Sequence, residues 1–288
     1  MCTVTIIRVS PVSASDSPWL RIACNRDELR TRPLAFPPET RRFGAYHALM
    51  PIDPGSGGTW IAANDAGLTL ALLNVNPHIR SNSREDAAQF GHAAVHCGKA
   101  LDERSAPLPG APAAAWTRRR HSRSRGEIIP MLLACADAEN AAARALEFSA
   151  TDFPPFRLVM ADERTVAAIY SDGLTLRADP LVAHRADRAV MFTSSGLGDA
   201  LVEPPRRALF DEMFSGKGDL SRTQDEFHRH VWADRPHLSV CMRRDDARTV
   251  SHTLVEVHPH WILMRYHADA PDIAACDTKL QLARGAGR

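Results

Sequence analysis

The fold turns on two stretches near the start of the chain, Met1-Cys2-Thr3-Val4-Thr5-Ile6-Ile7-Arg8-Val9 and Trp19-Leu20-Arg21-Ile22-Ala23-Cys24-Asn25-Arg26-Asp27-Glu28. Thr3 to Val9 is β-branched and apolar, and Trp19 to Cys24 follows after a polar turn through Pro11 to Pro18, so the two read as neighbouring strands. Cysteine at position 2 is small enough for Met1 to be removed, which would place a free α-amine beside the thiol. The amine has a pKa of about 8 and the thiol one of about 8.5, so the amine can take the thiol proton at neutral pH without a histidine base. A strand starting at Thr3 would hold that nucleophile at a sheet end, in the fixed orientation that proximity catalysis needs. On Cys2 alone, an incidental cysteine at a terminus is the plainer reading. The charged cluster Asn25-Arg26-Asp27-Glu28 changes its company. In a hairpin the cluster returns beside Cys2, where Arg26 would lower the thiol pKa and Asp27 would orient the α-ammonium.

Beyond the hairpin, residues 30–58 read as loop, with Pro33, Pro37, Pro38, Pro51 and Pro54 followed by Gly55, Gly57 and Gly58. Thr59 to Ala63 and Leu68 to Leu73 read as strands joined by Asn64-Asp65-Ala66-Gly67. Asn74 ends the second of these, where it is either a polar strand end or an oxyanion-hole donor. Helices are expected over 84–101, 128–136, 138–148, 205–214 and 223–230. Strands are expected over 156–161, 165–171, 174–177, 190–193, 239–242, 249–257 and 261–266, with a frayed tail after Ala270. Strands grouped in hairpins, with helices in blocks between them, predict antiparallel sheets with helices packed outside rather than βαβ units.

Composition narrows the function classes. The chain of 288 residues is 44% hydrophobic and 24% charged, with a formal net charge of +1. That balance gives no surplus to attract nucleic acid or an acidic membrane. The basic run Arg118-Arg119-Arg120-His121-Ser122-Arg123-Ser124-Arg125 has no interleaved aromatics for base stacking and reads as a solvated loop. The six cysteines are scattered without a C-x-x-C pair, and the first thirty residues lack an apolar signal core. Both features point to reduced thiols and a cytoplasmic location. No apolar run reaches the roughly 20 residues that span a bilayer. His92 and His96, spaced i, i+4, lack the Glu of a metalloprotease motif, so no metal and no cofactor is expected.

Met1-Cys2-Thr3, the Asn25-Arg26-Asp27-Glu28 motif and the Gly58-Thr59-Trp60 to Asn64 segment together resemble the NRDE family, which includes the transport-and-Golgi-organisation proteins. The resemblance extends through Thr193-Ser194-Ser195-Gly196-Leu197-Gly198-Asp199 to the strand Thr249–Val257. It makes residues 1–270 a single NRDE-type domain, with 271–288 as a C-terminal tail. More distantly, Asn25-Arg26-Asp27, the Asn64 to Leu68 turn and Leu73-Asn74 are similar to motifs of the choloylglycine hydrolase and penicillin acylase group of N-terminal-nucleophile enzymes. That resemblance implies that Cys2 attacks an amide, that Asp27 holds the terminal amine and that Asn74 donates to the oxyanion. Those enzymes place a second Asn after a Thr; here Ser194 follows Thr193, and its hydroxyl is the substitute donor. Their late arginine corresponds to Arg206 or Arg207.

The expectation is therefore an α+β, four-layer αββα fold with two antiparallel sheets between helix layers, like that of the N-terminal-nucleophile hydrolases. Cys2, Asn25, Arg26, Asp27, Asn74 and Ser194 would carry the chemistry, and Glu28, Trp60, Asn64 and Arg206 would bind substrate. The substrate would be a small-molecule amide or related acyl compound. The alternative is a non-catalytic protein that binds or traffics haem or a lipid-like ligand, as the related eukaryotic family implies. Trp60, Phe90 and Trp116 would then line an apolar pocket.

Overall fold

The computed structural model describes residues 2–9, 19–76, 122–179, 189–216 and 218–285. In chain order its strands are β1 (Cys2–Val9), β2 (Trp19–Leu29), β3 (Phe36–Phe43), β4 (Tyr46–Ile52), β5 (Ile61–Asn64), β6 (Thr69–Asn74), β7 (Phe156–Ala161), β8 (Val166–Ser171), β9 (Leu176–Ala178), β10 (Val190–Thr193), β11 (Ala247–Val257), β12 (Trp261–His267) and β13 (Asp277–Ala283). The helices are α1 (Ile128–Leu132), α2 (Ala138–Ala145), α3 (Asp199–Met213) and α4 (Leu220–Arg229). The strands make two antiparallel sheets, ordered β10-β1-β2-β11-β12-β13 and β3-β4-β5-β6-β7-β8-β9.

The layers follow from which strand faces are apolar. Val4, Ile6, Leu20, Ile22 and Cys24 point inward and meet Leu49, Ile61, Ala63, Ala71, Leu73 and Val159 of the second sheet. Each Val, Leu or Ile side chain among these contributes about 1.5–3 kcal/mol when fully buried. The outer face of the second sheet packs on α1 and α2 through Ile128, Ile129, Leu132, Ala138 and Ala141. The outer face of the first sheet packs on α3 and α4, with Phe210 and Phe227 against Met191 and Val240. The chain is thus an α+β fold of four layers, αββα. Both faces of β1 are covered, which is why it reads as a nearly continuous buried run rather than a polar-apolar alternation.

Four expectations about elements are revised. The strand expected over 239–242 does not form: those residues are bends and irregular chain between α4 and β11. Residues 30–58 read as loop, yet β3 and β4 lie there. β3 is a sheet edge, so Pro37 and Pro38 cost no internal ladder bond, and the register shifts between Phe36 and Glu39. Residues 271–285 do not fray. β13 pairs with β12, Leu280 and Leu282 pack on the inter-sheet core, and Arg284 donates to the carbonyls of Ala66 and His258 at 2.9 and 3.0 Å. Helix α3 begins at Asp199, before Pro205, and the Asp199 carboxylate accepts from the backbone N–H groups of Asn76 and Ser195. The helix expected over 84–101, with Phe90, His92 and His96, and also Trp116, lie outside the described residues.

Candidate active site

In the β1–β2 hairpin Cys2 pairs with Arg26, Thr3 with Asn25 and Val4 with Cys24. Side chains alternate across a strand. Cys2, Cys24, Arg26 and Glu28 therefore face one way, and Thr3, Asn25 and Asp27 the other. The first set faces the second sheet, where a cavity of about 280 Å³ is lined by residues that include Cys2, Arg26, Glu28, Arg32, Asp53, Trp60, Asn74 and Arg125.

The cavity wall is a network of charges. Arg26 donates to Asp53 Oδ2 at 2.5 Å and lies 4.2 Å from the centre of the Trp60 ring, a cation–π contact. Arg32 donates to the same oxygen at 2.7 Å and approaches Glu28 at 3.3 Å. Burial alone would raise the Asp53 carboxyl, but the Arg32 hydrogen bond and the charges of Arg26 and Arg32 outweigh it and hold the pKa below the ordinary value. Asp53 Oδ1 accepts from the N–H groups of Gly55 and Ser56, which closes the 53–58 turn.

That turn explains the Gly57-Gly58 pair. Gly57 has φ +68, a conformation that favours glycine. At Gly58 the chain crosses Gly126 so closely that a Cβ would lie 2.1 Å from the Gly126 carbonyl oxygen. The crossing, closed by a 3.3 Å bond from Thr59 N–H to that oxygen, brings Arg125 to the cavity that Trp60 also lines.

Cys2 is 4% exposed and its thiol pKa is lowered. The hydrogen bond with the Cys24 thiol is the largest cause and Arg26 adds to it, against burial and the charge of Asp27. The Cys24 thiol is pushed well up by the same bond and by burial, so Cys24 keeps its proton and donates it toward Cys2. The Cys2 nitrogen donates to Ser194 Oγ at 3.2 Å, and Ser194 N–H returns a bond to the Cys2 carbonyl at 2.9 Å. Ser194 thus grips both ends of the Cys2 backbone.

Behind the strands sits the second set. Asp27 is 1% exposed; Thr249 Oγ1 donates to it at 2.7 Å, and Arg206 lies 3.9 Å away. Burial raises the Asp27 carboxyl, opposed by Arg206 and the Thr249 hydroxyl. Arg206 is wholly buried and donates to Thr3 Oγ1, Thr193 Oγ1 and the carbonyls of Leu238 and Ser239. Arg206 does not line the cavity. It ties Asp27, β1 and β10 to the 238–239 turn. Arg207 instead bonds the Met191 carbonyl.

Asn25 likewise turns away from the cavity. Its amide nitrogen donates to the carbonyls of His228 and Val240, and its oxygen accepts from Nδ1 of His228 at 3.0 Å and of His252 at 2.8 Å. Both histidines must therefore carry the proton on Nδ1. His228 Nε2 then accepts from Thr5 Oγ1 at 2.7 Å, and Gln224, itself bonded to Arg21, donates to Thr5. Asn64 is also internal: it bonds the Leu133 and Cys135 carbonyls and the Leu68 N–H.

Of the residues singled out from sequence, the cavity thus gathers Cys2, Arg26, Glu28, Trp60 and Asn74, while Asn25, Asp27, Asn64, Ser194 and Arg206 stand outside its lining. Arg32, Asp53 and Arg125 were missed. Arg125 lay in the basic run read as solvated loop, and only the Gly-Gly crossing marks its approach. Among the described residues there is no group of three or more His, Cys, Asp or Glu side chains able to hold a metal, and no helix long and apolar enough to cross a membrane.

No protein-family model matches the chain, and no curated protein does. The NRDE assignment implied by the motifs has no family-model match behind it. Among solved structures, the chain is similar to a Caenorhabditis elegans orthologue of N-acylethanolamine-hydrolyzing acid amidase, at 13% identity and a TM-score of 0.49, over 95% of this chain and 94% of that one. It is also similar to a mutant of the conjugated bile acid hydrolase of Clostridium perfringens, at 10% identity and a TM-score of 0.49, over 97% of this chain and 92% of that one. Both likenesses are distant in sequence and superposition, and the chemistry of the site is read from its own atoms.

Proposed function

We propose that this chain is an N-terminal-cysteine enzyme of the N-terminal-nucleophile type, cleaving or transferring the acyl group of a linear amide or related acyl compound. The observation that carries the reading is the placement of Cys2, whose thiol lines a cavity while its nitrogen is held by Ser194. Removal of Met1 turns that nitrogen into an α-amine within one residue's reach of the thiol. The amine accepts the thiol proton, and sulfur attacks the substrate carbonyl. The tetrahedral oxyanion is stabilised by a donor set that includes the Asn74 amide. The resulting ammonium protonates the departing amine and leaves an acyl-thioester, which water or another acceptor resolves.

In this reading Ser194 and Asp27 are positioning residues. Ser194 fixes the nitrogen, and the buried Asp27 carboxylate supplies a negative field that favours the ammonium form. Arg26 and Cys24 favour the thiolate. The test is a screen of acyl-amides and acyl-thioesters against the wild type and Cys2→Ala. A substrate turned over by the wild type alone, with an acyl adduct trapped on Cys2, supports the reading. Equal turnover by Cys2→Ala removes it.

A further inference from the structure

Among the described residues, the cavity lining carries one positive charge more than its carboxylates neutralise. Three of those residues bring guanidinium groups, Arg26, Arg32 and Arg125, against two carboxylates, those of Glu28 and Asp53. Arg26 and Arg32 are engaged: both bind Asp53, and Arg32 also meets Glu28. Arg125 is different. Its Nη1 donates to the Pro155 carbonyl at 2.9 Å, and among the described residues no carboxylate lies within ion-pair distance of it. The donors at Nε and Nη2 have no partner among those residues. Trp60, which also lines the cavity, keeps a buried indole N–H that likewise lacks a partner among them.

From this we propose that the cavity recognises a carboxylate on the substrate, with Arg125 as its principal contact, so that the substrate class is a carboxylate-bearing linear amide or acyl derivative of modest size. The proposal rests on the reading of Cys2 as the nucleophile. A planar carboxylate accepts two parallel N–H bonds from one guanidinium, a match that a neutral amide does not offer. A bound carboxylate also relieves the cost of keeping a cation partly desolvated and unpaired. Burial, and to a lesser degree the charge of Arg32, pulls the Arg125 pKa below the ordinary arginine value, against the favourable charges of Glu28 and Cys2. Arg125 stays charged throughout. At about 280 Å³ the cavity lies just below the usual range for drug-sized ligands, which limits the group that enters with the carboxylate.

Two alkylating agents of nearly equal size test this on the intact chain. Iodoacetate carries the carboxylate and iodoacetamide is its neutral counterpart. The quantity measured is the ratio of their rates at Cys2, by peptide mass mapping, with exposed Cys276 as the internal reference. Taking the ratio cancels any change in the thiolate fraction. The expected ratio at Cys2 exceeds that at Cys276 at least ten-fold, drops to the reference value in Arg125→Gln and is partly kept in Arg125→Lys. Equal ratios at the two cysteines, or a Cys2 ratio indifferent to Arg125→Gln, overturn the proposal while leaving Cys2 a nucleophile. If neither reagent modifies Cys2, the nucleophile reading fails, and binding decides the carboxylate site separately. In Cys2→Ala, N-acetylglycine should then bind at least ten-fold more tightly than N-acetylglycinamide, and Arg125→Gln should abolish the difference. No difference, or no binding by either, overturns it.

Discussion

The two faces of the β1–β2 hairpin are built from the same few residues and have opposite characters. Toward the second sheet, Cys2, Arg26 and Glu28 line a cavity whose charges are incompletely matched among the described residues, and Cys24 packs into the inter-sheet core beneath it. Toward α3 and α4, Thr3, Thr5, Asn25 and Asp27 enter a network in which each named polar side chain has a partner. The motif Asn25-Arg26-Asp27-Glu28 is therefore two motifs interleaved with a period of two. Its odd members hold the strands to the helices, and its even members face the cavity. A fully satisfied buried network rigidifies what it touches, and an unsatisfied site keeps its interaction energy for a ligand. Substitutions on the helix side should then cost stability, and those on the cavity side should cost reactivity at Cys2.

The largest effect is expected at Arg206. Arg206→Ala leaves Asp27 buried without its cation and removes the donors to Thr3, Thr193 and two carbonyls. The expected loss is about 3–5 kcal/mol in urea unfolding, and a loss under about 1 kcal/mol would break the comparison. Asn25→Ala comes next. It orphans two histidine N–H groups and two carbonyls, each worth roughly 1–3 kcal/mol if left unmet, though water entering the space would offset part of this.

The same network sets a pH dependence. Burial, then Arg21, lowers His252 from 6.5 to about 3. Burial, His252, Arg21 and Arg206 lower His228 well below its ordinary value. Unfolded histidines bind protons that the folded ones refuse, so this stability is fully present above pH 6.5 and is lost as the pH falls below it. Each histidine contributes a slope of up to about 1.4 kcal/mol per pH unit. Denaturation series between roughly pH 6.5 and 5, above most carboxylate titrations, should show a slope that His252→Gln reduces.

The smallest stability effects belong to the cavity face. Cys24→Ala is expected to cost about 1 kcal/mol or less, yet to raise the Cys2 thiol pKa, because it removes the hydrogen bond that lowers it most. The pH dependence of Cys2 alkylation reads this directly, and an unchanged midpoint would count against Cys24 as the donor.

Much of this architecture was legible in the chain. Hairpins at both ends with helices between gave two antiparallel sheets with helices outside, because strand alternation and helix composition are local signals. β3 was hidden by Pro37 and Pro38, which only a sheet edge tolerates, and β13 by its half-exposed alternation Thr278, Leu280, Leu282. The site was legible where residues were close in sequence: Cys2, Arg26 and Glu28 follow from one hairpin and its register. It was not legible where chain crossings decide. Asn25 and Asp27 turn away from Cys2 although their motif returns beside it, because side chains alternate across β2 with a period of two. Arg125 reaches the cavity through a Gly58–Gly126 approach that no local pattern encodes.

The state of the first two residues tests the central claim most directly. Intact-mass and peptide analysis of the native protein, after brief treatment with limiting iodoacetamide near neutral pH, reports both Met1 and the thiols. The expected result is a chain lacking Met1, with a single adduct at Cys2 formed ahead of exposed Cys276. A chain that retains Met1, or one whose label falls on Cys276 while Cys2 stays unmodified, would contradict the N-terminal-nucleophile reading.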